Sequence, residues 1–424
     1  MNMVRQRPFG QRYAFVVAGV VFLSLLAAAG LRAAPGVLIL PIESAFGWSR
    51  DTISLAAAIG IFLYGLTGPF AAALMQSFGI RRTLIGALLV MSVSTAASYF
   101  MTAPWQYVAT WGVLSGVASG AVSMVLGATI VNRWFVTNRG LVMGLLTAST
   151  ATGSLVFLPG MAALAEWQGW RAVVIAVSIV SAILIPLVYF FLPERPRDIG
   201  QLPYGASGPD EGASVPRGNP LVNAFVVLFE AARTRTFWFL FATFFICGFT
   251  TNGLVGTHMI AFCGDMGIPA VQAAGLMAAM GLFDIMGATG SGWLSDRLDP
   301  RKLLFVYYSL RGLALIYLPF SDFNLYSLTL FAVFFGLDWI ATVPPTLRLA
   351  NEAFGDRKTP VVFGWIVAGH QFGAASAAYM AGYMRTVEGN YFNAFLIAGA
   401  TGILAALLSL LIARRRVELE TAIA

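Results

Sequence analysis

Apolar runs of about 20 residues, the length that crosses a bilayer core, recur along nearly the whole of this 424-residue chain, with short polar breaks between them. No single water-excluding core could hide so many. Inside lipid no water satisfies an unpaired backbone group, so each run is expected to be a helix. Twelve spans are expected: 13 to 41, 51 to 76, 82 to 101, 105 to 133, 139 to 164 and 171 to 192, then 236 to 263, 271 to 295, 302 to 320, 324 to 351, 359 to 385 and 391 to 413. The composition, 58% hydrophobic and 11% charged, fits an all-α membrane protein. The basic N-terminus followed by an apolar run imitates a cleaved signal peptide, but with eleven further spans behind it the first is expected to be retained.

A net charge of +7 raises the possibility of a nucleic-acid partner, and the placement of the charges argues against it. With the N-terminus inside, 21 of the 26 Lys and Arg fall on the cytoplasmic face, among them Arg5, Arg7, Arg12, Arg81, Arg82, Arg133, Arg139, Arg301, Lys302, Arg357, Lys358 and Arg414 to Arg416. Only Arg50, Arg171 and Arg385 fall outside, and Arg32 and Arg311 lie within spans. This asymmetry orients a multi-pass protein in the cell's inner (plasma) membrane with both termini cytoplasmic. The two cysteines, Cys247 and Cys263, share one expected helix and suggest neither a disulfide nor a metal pair.

After Leu192 the composition turns rich in Pro, Gly and charge, which divides the chain into a six-helix bundle at 1–192, a cytoplasmic linker at 193–235 and a second bundle at 236–424. A shift of 220 residues aligns Arg81-Arg82 with Arg301-Lys302, and a shift of 219 aligns Asn132-Arg-Trp-Phe135 with Asn351-Glu-Ala-Phe354. Equivalent loop motifs at a nearly constant offset indicate a duplicated unit, which in transporters places a site between two pseudo-symmetric bundles.

The loop after the eighth span reads Gly292-Trp-Leu-Ser-Asp296-Arg297-Leu-Asp-Pro-Arg301-Lys302. It resembles the signature loop of the major facilitator superfamily, and the resemblance implies that superfamily's fold, with Asp296, Arg297, Arg301 and Arg81 as gating residues. The first half departs from the motif at Ala72 and Gln76. Gly68-Pro69 with Leu74, Phe78-Gly79-Ile-Arg81, Asn132-Arg-Trp-Phe135, Arg139-Gly140-Leu141, Gly144 and Gly169-Trp170-Arg171 are similar to the monocarboxylate transporter and oxalate/formate carrier branch. Asp284 resembles the eighth-helix aspartate of that branch, but Ala288 stands one turn later where the branch has an arginine linked with the substrate anion.

Charges at membrane depth are costly and therefore informative. Arg32, just before Pro35-Gly36, either meets a substrate carboxylate, which suits its guanidinium fork, or pairs with a protein carboxylate or snorkels outward. Asp284 and Asp338 are candidates for carrying a proton, Asp338 also for touching substrate beside Pro344-Pro345. Asp284 lies 12 residues before Asp296 and Arg311 lies 10 after Arg301, depths that allow an Asp284–Arg311 pair. Histidine as a residue type can change charge near physiological pH, so of the two in the chain, His258 and His370, the latter joins the candidates for proton handling. His258, His370, Gln371, Asn252 and Tyr64 complete the expected substrate-contacting set.

No glycine loop for a nucleotide occurs, so the expected function is gradient-driven transport rather than enzymatic catalysis, with no cofactor and no metal. The leading expectation is proton-coupled transport of a small organic carboxylate by a monomeric carrier in the bilayer. The alternative is proton-antiport efflux of amphipathic or toxic organic compounds, which the same fold would support.

Overall fold

The computed structural model describes residues 12–206 and 220–413. Arg5, Arg7, Arg414 to Arg416 and the middle of the linker lie outside the described residues, as do the side chains of Ala72, Gln76 and Arg357. The described residues are almost entirely helical. The long helices are α1 Tyr13–Phe46, α2 Arg50–Phe78, α3 Ile80–Ser98, α4 Pro104–Trp134, α5 Arg139–Gln168 and α6 Trp170–Phe191. They continue as α7 Arg235–Asp265, α8 Ala270–Ser295, α9 Pro300–Phe320, α10 Leu325–Gly355, α11 Lys358–Glu388 and α12 Phe392–Leu410. Among the described residues eleven helices are long and apolar enough to cross a membrane; α5, 30 residues long, is not one of the eleven.

Most helices outrun the expected spans by a few residues, because a backbone leaving hydrocarbon keeps its internal hydrogen bonds until water or a cap can replace them. Thus α1 continues past Pro35 and Pro41 to a left-handed Gly47, whose N–H returns to the Glu43 carbonyl. Single-residue hinges at Gly79 (φ 88°) and Gly169 (φ 80°) separate α2 from α3 and α5 from α6, a conformation open to glycine without strain. The linker was read from its Pro, Gly and charge content alone. It contains a helix, Pro220–Ala232, docked on α11 through a Trp365 indole N–H donated to the Ala224 carbonyl (3.1 Å) and a Lys358–Glu230 ion pair (2.7 Å).

Two spans are broken in the middle. In α4 the chain leaves the helix at Val122 and turns extended at Ser123 (φ −112°, ψ −177°). In α10 it breaks between Asp338 and Val343, with Thr342 preceding the new helix. Ser123 and Thr342 are 219 residues apart, the same offset that aligns Asn132–Phe135 with Asn351–Phe354. For α10 the cause is local: Pro344 and Pro345 have no N–H, so the carbonyls of Ile340 and Ala341 lose their helical partners. A seven-residue π-helical stretch also widens each of α4 (Val108–Leu114) and α7 (Phe249–Val255).

Glycine sets how closely the last six helices pack. Gly248 of α7 lies against the His370 carbonyl of α11, and Gly373 of α11 against the Phe245 carbonyl of α7. Gly287 of α8 and Gly336 of α10 meet the Leu337 and Met280 backbones in the same reciprocal way. Small residues let membrane helices approach backbone to backbone where there is no hydrophobic drive between them. A Gly248→Leu variant is therefore expected to lose about 1–3 kcal/mol of stability by overpacking. Gly275→Leu, at a position with no neighbour to meet, should be close to neutral; thermal melts of the two proteins in one detergent make the comparison.

Candidate functional site

Between the first six helices and the last six lies a cavity of about 360 Å³, bounded by α1, α2, α4, α5, α7, α8, α10 and α11. Six of the expected residues line it: Arg32, Tyr64, Asn252, Asp284, His370 and Gln371. Trp111, Trp339, Ser115, Ser119 and Thr257 line it as well and were not singled out from the sequence. Aromatic and small hydroxyl residues are so common in spans that only the two helix breaks, both close to this cavity, would have pointed to them.

Arg32 reaches the cavity from a helix that approaches its neighbour through Gly36, where an added Cβ would sit 3.0 Å from the Gly256 carbonyl and 3.1 Å from that of Thr257. Its guanidinium lies over the Tyr64 ring, 4.5 Å from the centroid. Such a contact holds a desolvated cation in place, at about 0.5–2 kcal/mol, without neutralising it. Arg32 Nη1 is buried and has no hydrogen-bond partner. Arg32 is also the only Lys or Arg among the described residues that line the cavity. An unpaired donor of this kind favours an incoming anion.

The charges on the last six helices are arranged differently from the expectation. Arg311 does not pair with Asp284. Its Nε donates to Asp338 Oδ2 at 2.6 Å, and its Nη2 to the backbone carbonyls of Asp338 (2.5 Å) and Trp339 (3.3 Å). Its Nη1 reaches Cys247 Sγ at 2.9 Å, which leaves it wholly buried. Asp284 instead accepts the Ile340 N–H at 2.8 Å, and Ser291 donates to the Ala341 carbonyl at 2.5 Å. The physical reason is the break in α10. It exposes peptide groups that hydrocarbon cannot satisfy, and side chains from α8 and α9 take the place of the missing helical partners.

Asp338 and His258 are thus not lining residues of the cavity. Asp338 is held by Arg311 with its Oδ1 unpartnered. His258 is buried, with Nδ1 3.1 Å from the Tyr391 hydroxyl and Nε2 2.7 Å from the Ala378 carbonyl. Tyr391 leads on to a polar cluster at the end of the bundle away from the linker. There Arg50 of α2, only 4% exposed, reaches Asp265 of α7 through two nitrogens (2.6 and 2.8 Å), Glu43 (2.9 Å) and the Tyr391 hydroxyl (3.2 Å). Arg385 adds a bond to Asp265 at 2.7 Å, Thr386 one to Asp51 at 3.1 Å, and Glu166 accepts the Val271 N–H at 3.2 Å. Of these, the contacts of Arg50 with Asp265 and Tyr391, of Asp51 with Thr386 and of Glu166 with Val271 tie the first six helices to the last six at that end.

At the linker end the expected gating residues act within their own half. Asp296 is exposed, and Arg301 pairs with Asp299 (2.7 Å), which also caps α9, rather than with Asp296. Arg297 stacks on Trp293 at 4.1 Å. Arg81 stacks on Tyr189 at 5.7 Å while its N–H, with that of Ile80, is accepted by Glu194. The ion pair that crosses between the halves lies at the opposite end, at Arg50 and Asp265.

A bundle of membrane-crossing helices with two broken spans around a central cavity that holds a few polar side chains is the architecture of a multi-pass carrier. The family model of the Major Facilitator Superfamily matches residues 20–377 and 291–423, and the chain belongs to that superfamily. It is similar to an uncharacterized MFS-type transporter, YcxA, of Bacillus subtilis (strain 168), at 25% identity over 83% of each chain. It is also similar to monocarboxylate transporter 13 of Bos taurus, at 26% identity over 91% of this chain and 85% of that one. Among solved structures, that of a D-xylose–proton symporter superposes over 94% of this chain and 97% of its own with a TM-score of 0.72 at 15% identity, a likeness of fold.

Arg311→Met is expected to cost about 3–5 kcal/mol, because it strands a buried carboxylate and two carbonyls, and Arg311→Met with Asp338→Leu should recover part of that loss. A double-mutant cycle of melting points measures the coupling. Arg50→Gln should release the far end of the bundle. Spin labels placed at Trp167 and Val387, both exposed near that end, should then report a longer distance population that the parent lacks.

Proposed function

We propose that this chain is a proton-coupled carrier of a small organic carboxylate, working by alternating access across the inner membrane with both termini in the cytoplasm. The observation that carries the reading is the unpartnered Arg32 Nη1 in a cavity with no other lysine or arginine among its described lining residues. The carboxylate sits on the Arg32 fork, with its body against Tyr64, Trp111 and Trp339 and hydrogen bonds available from Asn252, Gln371 and His370. The similarity to a monocarboxylate transporter supports the same substrate class. Arg32 takes the part of the arginine that Ala288 lacks, from a different helix.

Asp284 is the carboxylate that lines the same cavity, and it is the proton carrier in this reading. Protonated, it leaves Arg32 as the uncompensated charge and the cavity ready for an anion; ionised, it competes with the substrate for the positive field. Carboxylate and proton therefore enter and leave together. With the termini inside, the Arg50–Asp265 cluster closes the outer end, so the conformation faces the cytoplasm. Asp338 and Arg311 hold the wall of the cavity rather than touch its contents.

Purified protein in liposomes, given labelled mono- and dicarboxylates with and without an inward proton gradient, tests this directly. Gradient-stimulated uptake of a monocarboxylate is expected, with Arg32→Ala reducing it by about 100-fold or more, a desolvated charge-assisted pair being worth on the order of 3 kcal/mol. Asp284→Asn should keep exchange of the acid across the membrane but lose its acceleration by the gradient. If no acid is taken up while cells expressing the chain resist amphipathic toxins, the carboxylate reading is wrong and efflux takes its place.

A further inference from the structure

A second cavity, of about 380 Å³, lies at the linker end of the first six helices and was not expected from the sequence. Five arginines surround it: Arg81 and Arg82 at the start of α3, Arg133 near the end of α4, and Arg195 and Arg197 just beyond α6. Two carboxylates, Glu194 and Asp198, are also in its wall. Both are engaged: Glu194 accepts the Ile80 and Arg81 N–H groups at 2.7 and 2.9 Å and lies 3.8 Å from Arg133, and Asp198 accepts the Arg195 N–H at 2.9 Å. The wall therefore carries an excess of positive charge in a concave site, where like charges repel unless an anion joins them. Arg82, Arg195 and Arg197 are exposed and can turn to meet one.

Apolar surface flanks the basic one. Met75 and Phe78 line the cavity, Phe78 is 63% exposed, and Tyr189 and Phe190 near the end of α6 are exposed alongside. We propose that this cavity is a binding site for a phosphate-bearing anion, with an anionic lipid headgroup as the favoured source because the neighbouring aromatics suit acyl chains. Guanidinium forks match phosphate oxygens bidentately, and a basic cluster beside the ends of membrane helices is the setting in which anionic headgroups are drawn to a protein. All five arginines and both carboxylates belong to α3, α4 and the start of the linker, so an occupant would brace the first six helices as a unit. The proposal is independent of what the central cavity carries.

The test is thermal protection of the purified full chain in detergent by three additives at matched ionic strength: phosphatidylglycerol, phosphatidylcholine and inorganic phosphate. Phosphatidylglycerol, and not phosphatidylcholine, should raise the melting point of the parent protein. Arg82→Gln with Arg197→Gln should raise the half-protecting concentration on the order of tenfold, while Arg233→Gln with Arg235→Gln, an equal charge loss at the same end, should leave it unchanged. Protection by inorganic phosphate that disappears in the Arg82/Arg197 variant keeps the site and assigns it to a soluble phosphate. If that variant melts lower without additive, Arg195→Gln carries the same comparison. Equal responses of parent and cavity variants to every additive, or an equal loss in the Arg233/Arg235 variant, would overturn the proposal.

Discussion

The clasp of Arg311 on the broken α10 is the interaction on which the last six helices depend. A membrane helix interrupted by Pro344 and Pro345 leaves peptide groups that lipid cannot satisfy. Arg311 takes two of those carbonyls together with the Asp338 carboxylate, Asp284 takes the Ile340 N–H, and Ser291 takes the Ala341 carbonyl. Each replaces a helical hydrogen bond with one from another helix, so the break stitches α8, α9 and α10 together. It also delivers Trp339 and Ile340 to the cavity wall. A buried ion pair of this kind is not in itself a large source of stability, but losing one member is severe.

The same constraint separates what the sequence could reveal from what it could not. Apolar run length governs the spans, because lipid allows the backbone no other regular choice short of a barrel. Eleven of the twelve expected spans coincide with helices long and apolar enough to cross a membrane; the span at 139 to 164 falls on α5, which is not one of them. Arg32, Tyr64, Asn252, Asp284, His370 and Gln371 were legible as cavity residues: polar groups at that depth face protein interior or water. Partner choice was not legible. Matching depths pointed to Asp284 as the partner of Arg311, whereas Asp338 is the partner in the structure, and the decision fell to the peptide groups exposed by the Pro344-Pro345 break, whose direction depends on three-dimensional packing. His258 looked like a titratable site and is tied to Tyr391 and Ala378 in the structure. The linker helix was hidden by its Pro- and Gly-rich surroundings.

The signature-loop residues show why a motif gives chemistry without geometry. The acidic and basic groups of that loop are present, yet Asp299, and not Asp296, pairs with Arg301. The contacts that join the two sets of six helices are instead gathered around Arg50, a residue with no counterpart in the family motif and one of three arginines on the sparsely charged end. Alternating access needs contacts of this sort to be exclusive to one state, so that each conformation is stabilised by bonds the other must break. Arg50 with Asp265 crosses between the halves, and Arg50 is nearly buried with three acceptors.

The central claim is that Arg32 is the anion receptor of the cavity, and equilibrium binding measures it without depending on coupling or orientation. Isothermal titration of the purified protein with a monocarboxylate that it carries should give saturable binding. Arg32→Ala should abolish that binding while keeping the parent's melting point, and Arg32→Lys should restore part of it. Unchanged affinity in a folded Arg32→Ala protein would contradict the assignment and move the anion site away from α1.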